Sequence, residues 1–263
     1  MDDVAIFASV ISAGFFTLAE EAVRQIRSVR ELHELRSIME AVSRAMGFNH
    51  FALIHHDDLR TARPGLVDLK NYPQAAVERL FSNHSYRRDP VFRGSLFSGG
   101  AFLWSDLHRF ITLSRRDRLS FELGAREGLN EGITIPYIRL GARIGSCTFA
   151  GIREPERAER YLGPAQMIGI FAFQAALRLF GEEQIPAPLP RLNPRPRDCV
   201  ALIGQGLSNK EIARALSLAP RTVDSYLTDA RRLFNAHDRT ELLAAAILAG
   251  EVGIEEIGRR QPG

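Results

Sequence analysis

A chain of 263 residues with 45% apolar content is long enough for two globular domains and can bury a sizeable core. A formal net charge of only +3 excludes a uniformly basic nucleic-acid coat protein, so any nucleic-acid contact must be local. Two widely separated cysteines, Cys147 and Cys199, make neither a disulfide framework nor a CxxC metal pair, which fits a reducing compartment.

In chain order, the opening MDDVAIFASVISAGFF holds an apolar run too short to span a bilayer. Asp2 and Asp3 stand where a secretory signal carries basic residues. The segment reads as an amphipathic helix packed on the first domain or at a subunit interface, and the chain as cytoplasmic with no membrane partner. Val29–Met46 carries apolar residues at helical spacing and ends at Gly47. Strands are predicted at HFALIH (His50–His55), Ala101–Ser105, Gly132–Tyr137 and Arg143–Gly151, the last two forming a hairpin. Helices are predicted over Pro73–His84, Leu113–Glu127 and Pro155–Phe180. A sheet with helices on both faces follows, an α–β–α sandwich spanning 1–180.

Between Gly181 and Pro196 there are five prolines, which prevent a continuous helix and predict an extended linker over 181–191. The remainder, 192–263, reads as an all-α domain of four helices, making the whole chain α+β. Ser208 followed by Glu211 is a capping box that starts a helix bearing Ile212, Ala213 and Leu216 on one face. Pro220 restarts the chain as a second helix, because a first helical position tolerates proline. Val223, Leu227, Ala230 and Phe234 form its apolar face; Arg221, Ser225, Thr228 and Arg232 lie opposite. Two short helices with an Arg- and hydroxyl-rich outer face suit a helix-turn-helix, whose second helix donates to phosphates and major-groove base edges. Nine basic against five acidic residues between Arg191 and Thr240 supply the local positive charge. Lys210, Arg221, Thr222, Ser225, Thr228, Arg231 and Arg232 are the candidate DNA contacts.

The segments LNPRPRD, GLSNKEIA, RTVDSYL and DARRLFNAHDRTELLAAAI resemble the DNA-binding domain of LuxR-type transcription regulators over Leu192–Leu248. Pro196, Ala219, Asp224 and Tyr226 depart from the family pattern, and Asp224 puts the operator sequence in doubt. The family dimerises through the final helix, here Arg239–Glu251, so the resemblance implies a homodimer on an inverted-repeat operator of double-stranded DNA, with RNA polymerase as a further partner. The stretch NYPQAAVERLFSNHSYRRDPV, followed by AFLWSDL and EGITIPY, resembles the autoinducer-binding domain of the quorum-sensing branch over Val29–Phe180. That resemblance implies that Asp89 accepts a ligand amide N–H, that Trp104 on a strand packs against a lactone ring, and that Gly132 and Thr148 complete the site, with Tyr72 beside them. Where the family carries Trp and Tyr, this chain has Ala76 and Leu80, placed by their i, i+4 spacing on one helix face looking into the same pocket. Two carbonyl partners are thereby lost, with Tyr72, His84 or Tyr86 as substitute donors. The implied ligand is an acyl-homoserine lactone or a relative with a bulkier or less carbonyl-rich head group; a ligand-independent regulator is the alternative.

Other chemistry is poorly supported. HHDD (His55–Asp58) places adjacent histidines on opposite faces of a strand, which argues against a metal site. Lys70, the only lysine before the linker, does not sit where a phosphorylated receiver domain needs one. No nucleophile elbow or P-loop occurs, and Cys147 reads as a buried structural thiol, so an enzyme of small-molecule turnover is disfavoured and neither a cofactor nor a catalytic residue is predicted.

Overall fold

The computed structural model describes residues 14–57, 65–81, 88–140, 142–181 and 189–258. The expected N-terminal amphipathic helix falls mostly before residue 14 and lies outside them, as do Asp58, His84, Tyr86 and most of the linker. The chain forms two compact units, one of residues up to 184 other than 140–142, the other mainly of residues from 185 onward.

The first unit opens with two amphipathic helices, α1 (Phe15–Ser28) and α2 (Leu32–Ala45). Leu18, Ala22 and Ile26 recur at i, i+4 and i+8 in α1, and Leu35, Ile38, Met39 and Val42 at i, i+3, i+4 and i+7 in α2; all are buried. Glu31 and Glu34 close a capping box at the start of α2. There follow β1 (Phe48–His55), β2 (Asp68–Lys70), α3 (Gln74–Phe81), α4 (Pro90–Ser95) and β3 (Phe102–Leu103). A 3₁₀ turn over Trp104–Arg109 leads to α5 (Arg115–Arg126), the hairpin β4 (Gly132–Tyr137) and β5 (Gly145–Ile152), a second 3₁₀ stretch over Pro155–Tyr161, and α6 (Leu162–Leu179).

The five strands lie in the order β2-β1-β5-β4-β3, every pairing antiparallel. β5 is central and buried along its whole length. Alternation sends Phe51, Leu53, Ile133, Ile135, Cys147 and Phe149 to one face, where they pack with α1, α2 and α6 in the main core. Gly169 lets α6 settle there: a Cβ on it would sit 3.0 Å from Ile135. Ala52, Ile54, Thr134, Thr148 and Ala150 take the other face, beneath apolar side chains of α3, α4 and α5. The result is an α–β–α sandwich.

Two local expectations need correction. The strand over Ala101–Ser105 pairs only at Phe102 and Leu103, and Trp104 starts the 3₁₀ turn instead of lying on a strand. The helix expected from Pro155 is α-helical only from Leu162, because Pro164 has no N–H and fits the first turn, where none is needed. Lys70 ends the short edge strand β2, just ahead of α3, with its ammonium 5.0 Å above the Phe81 ring.

The second unit holds four helices, α7 (Pro194–Gly204), α8 (Asn209–Ala215), α9 (Pro220–Leu233) and α10 (Arg239–Leu248). Cys199, Val200, Ile203, Ile212, Val223, Leu227, Leu242 and Ala246 form their common core. Ser208 and Glu211 make the reciprocal capping box of α8. Ser217 then adopts a left-handed φ of 54°, turning the chain, and Pro220 occupies the first turn of α9. The proline therefore starts the second helix of a helix-turn-helix.

Candidate functional site: a buried cavity and an exposed recognition helix

The cavity face of the sheet is built in rows. Across β1, β5, β4 and β3, Ala52 pairs with Thr148, Thr148 with Thr134, and Thr134 with Phe102. Two threonines thus stand side by side on a face otherwise covered by apolar side chains. Their hydroxyl oxygens are 3.0 Å apart. Trp104 donates its indole N–H to Thr134 Oγ1 at 3.0 Å. Trp104 reaches this position because residue 132 is glycine: a Cβ there would come within 2.7 Å of the indole and 2.8 Å of the Phe149 carbonyl oxygen.

Above this row lies a narrow cavity, lined mostly by apolar side chains and partly open to solvent. Tyr72, Leu80, Asp89, Trp104 and Thr148 all line it. Ala76 does not: its methyl is fully buried in the apolar cluster that contains Val91, Trp104 and Leu107. Gly132 also stays outside the lining and acts through the approach of Trp104. Asp89 caps α4, accepting from the Val91 N–H at 2.9 Å, with Pro90 at the first helical position. Its side chain lines the cavity, and the residue is half-buried. Burial pushes its carboxyl up to about 6, although N–H groups of Val91 and Phe92 and the charge of Arg79 pull the other way. Burial also drives the Tyr72 hydroxyl well above its ordinary range, and the nearby Asp89 adds to this.

Sequence reasoning missed the opposite wall. Arg79, Ser120, Phe121, Gly124 and Leu129 line the cavity together with Ile54, Phe81 and Phe92. Arg79 is clamped to Glu127 by bonds of 2.7–3.0 Å and reaches Ser120 Oγ at 3.3 Å, tying α3 to α5. No motif marks this pair, since its members are 48 residues apart.

The histidine pair separates as strand alternation requires. His55 faces the core, accepting the Val67 N–H at Nδ1 and standing edge-on to Phe173. His56 faces the other side, where its Nε2 lies 2.9 Å from Ser146 Oγ. Desolvation lowers both to about 4, which keeps them neutral at physiological pH. Among the described residues no cluster of three or more His, Cys, Asp or Glu is arranged to hold a metal. Burial raises the Cys147 thiol far above its ordinary range, leaving it unreactive.

In the second unit, α9 buries Val223, Leu227 and Ala230 and exposes Arg221, Ser225 and Arg232, while Thr222, Thr228 and Arg231 are half-buried. Arg231 donates to Thr228 Oγ1 at 3.3 Å, and Arg232 stands 3.8 Å from Asp229. Lys210 is exposed on α8. Asp224 accepts from the Asn209 side-chain amide at 2.6 Å, so the carboxylate that departs from the family pattern is tethered across the two helices. Tyr226 leans on the domain core.

An autoinducer-binding domain matches residues 31–176, more than half of the chain, and the bacterial regulatory proteins of the luxR family match residues 190–246. The HTH-type transcriptional regulator y4qH of Sinorhizobium fredii is 26% identical over 77% of this chain and 61% of its own length. The quorum sensing-dependent transcriptional regulator RpaR of Rhodopseudomonas palustris is 26% identical over 87% of this chain and 93% of its own. The regulatory protein SdiA of Escherichia coli is 22% identical over 90% of this chain and 97% of its own; its crystal structure superposes with a TM-score of 0.55 at 21% identity, covering 91% and 99% of the two chains. The relatives are transcriptional regulators, and no described helix is long and apolar enough to cross a membrane. With an autoinducer-binding domain followed by a helix-turn-helix, the chain belongs to the LuxR family of bacterial transcription regulators.

Proposed function

We propose that this regulator is a cytoplasmic homodimer that reads an inverted repeat through α9 and is controlled by a compact amphiphile held in the Asp89 cavity. The observation that carries the reading is the convergence of Asp89, Tyr72 and Thr148 on one mainly apolar cavity, with Arg79 and Ser120 on its opposite wall. An apolar enclosure with a few polar groups favours an amphiphile whose N–H or O–H meets Asp89. The structure of SdiA with octanoyl-rac-glycerol lends support, since that relative accepts a ligand with a hydroxylated head. Leu80 and Ala76 offer no hydrogen bond where the family places two donors. An ordinary lactone carbonyl buried there without a partner loses about 1–3 kcal/mol, so the preferred ligand has fewer carbonyls at its head.

On the DNA side, exposed Arg221, Ser225, Arg232 and Lys210 are the first contacts, with Thr222, Thr228 and Arg231 behind them. A two-fold dimer would place two α9 helices about one DNA turn apart. Contact with RNA polymerase is the remaining partner in this reading. The test is calorimetry of the full chain with acyl-homoserine lactones and monoacylglycerols, beside Asp89→Ala and the double variant Ala76→Trp/Leu80→Tyr. Tighter binding of the glycerol series than of the lactones, lost in Asp89→Ala, supports the reading, as does lactone binding that tightens in the double variant. Nanomolar lactone binding by the unmodified protein would falsify the head-group argument.

A further inference from the structure

The cavity face of the sheet continues beyond the threonine row. Ala52 pairs with Thr148, and the next pair on the same face is Ile54 with Ser146. His56 extends the series: its N–H bonds to the Ile144 carbonyl at 2.8 Å, so β1 still runs alongside the segment entering β5. Residues 52, 54 and 56 therefore project to one side of the sheet, in a line along the strand. Ile54 and Thr148 border the cavity, and so does Phe92 from α4. The His56 ring lies flat on Phe92, centroids 4.3 Å apart and planes 12° from parallel. Its Nε2 is pinned 2.9 Å from Ser146 Oγ. Desolvation keeps this imidazole neutral, so it stacks as an aromatic body without a buried charge.

We propose that the Phe92–His56–Ser146 stack is the end-stop of the ligand cavity and fixes the greatest length of apolar arm that the ligand carries along β1 and β5. A wall of loose aliphatic side chains can rearrange around a longer ligand. Here Phe92 cannot swing back, because His56 stands behind it and is itself held by Ser146. Two strand residues correspond to about 6.6–6.8 Å, so removing the stack opens room for several more methylene groups. The ligand class that follows is a short-armed amphiphile. This inference rests on the ligand reading given above.

The test measures affinity against arm length, using the full chain and two probe series, monoacylglycerols and acyl-homoserine lactones, lengthened two carbons at a time. The unmodified protein should bind more tightly up to a limiting length and then abruptly lose affinity. His56→Ala should move that limit outward by at least two carbons, each added methylene bringing about a fourfold gain. Short members should bind as before. Phe92→Leu keeps an apolar side chain in place and should shift the limit in the same direction; it decides the matter if His56→Ala fails to melt cooperatively. An unchanged limit in a cooperatively folded variant overturns the end-stop while leaving the cavity as a ligand site. So does affinity in the unmodified protein that rises without limit. Absence of binding by every member to every variant overturns the ligand reading, and the end-stop with it.

Discussion

The two units of this protein keep their chemistry in opposite places. In the first, the polar groups at issue belong to the fold: Trp104, Thr134 and Thr148 bond one another, and Asp89 is held by backbone N–H groups. In the second, Arg221, Ser225 and Arg232 stand in solvent on a helix whose other side makes the core. Changing groups of the first kind alters stability and function together. Exposed groups are added to a finished scaffold, where the two effects separate.

The sharpest way to break this contrast is Gly132→Val. Its Cβ would overlap Trp104 and the Phe149 carbonyl. We expect a loss of about 3 kcal/mol or more in urea unfolding, at the upper end of overpacking costs. A loss below 1 kcal/mol would mean that Trp104 is loosely held.

Acid sensitivity comes next. His55 and His56 sit at about 4 when folded against 6.5 when unfolded, so the unfolded chain takes up more protons between those values. Their stabilising contribution is present above about pH 6.5 and lost as pH falls toward 4. Asp89 runs the other way: raised from 3.8 to about 6, its contribution is present below about pH 4 and lost as pH rises through 6. Melts across pH 4–7 should show stability falling on acidification with a net slope of about one proton, two from the histidines less one from Asp89. His56→Ala should remove about one proton from that slope, and Asp89→Asn should steepen it.

Thr148→Val tests the hydroxyl row directly. It leaves Thr134 short of a partner and should cost about 1–3 kcal/mol of stability, measured by thermal unfolding. Arg232→Ala is the counterpart in the second unit. Its effect on stability should stay within about 0.5 kcal/mol, while operator affinity falls by about 1–3 kcal/mol if it reads a base. A phosphate role would instead weaken all sequences alike and lower the salt slope by about one. Gel shifts at several salt concentrations distinguish these outcomes, and unchanged binding would remove Arg232 from the interface.

Legibility in the sequence followed the range of the interactions. The helix-turn-helix was readable because its determinants are local: a capping box three residues long and a proline at a first helical position. The long strands and α2 were readable from periodicity. Trp104 was not, because the strand pattern of AFLWS cannot show that its ring must turn over Gly132, 28 residues on. β2 escaped because three residues are too few for a period of two to show. The i, i+4 spacing placed Ala76 and Leu80 on one face, yet only Leu80 reaches the cavity. The cluster that covers Ala76 is assembled from distant segments. Arg79 carries no local signal, because its partner Glu127 comes from 48 residues away at the end of α5.

The row of hydroxyls beneath the cavity also has a fixed start. An indole nitrogen gives a proton and accepts none, so Thr134 is held as an acceptor from Trp104. A hydroxyl oxygen has a second lone pair, so either threonine of the pair can still give its proton to the other. The row is therefore anchored at Trp104 and adjustable at Thr148, which lines the cavity. A polar face of this kind can turn a proton toward an acceptor, or away from a donor, without moving a heavy atom.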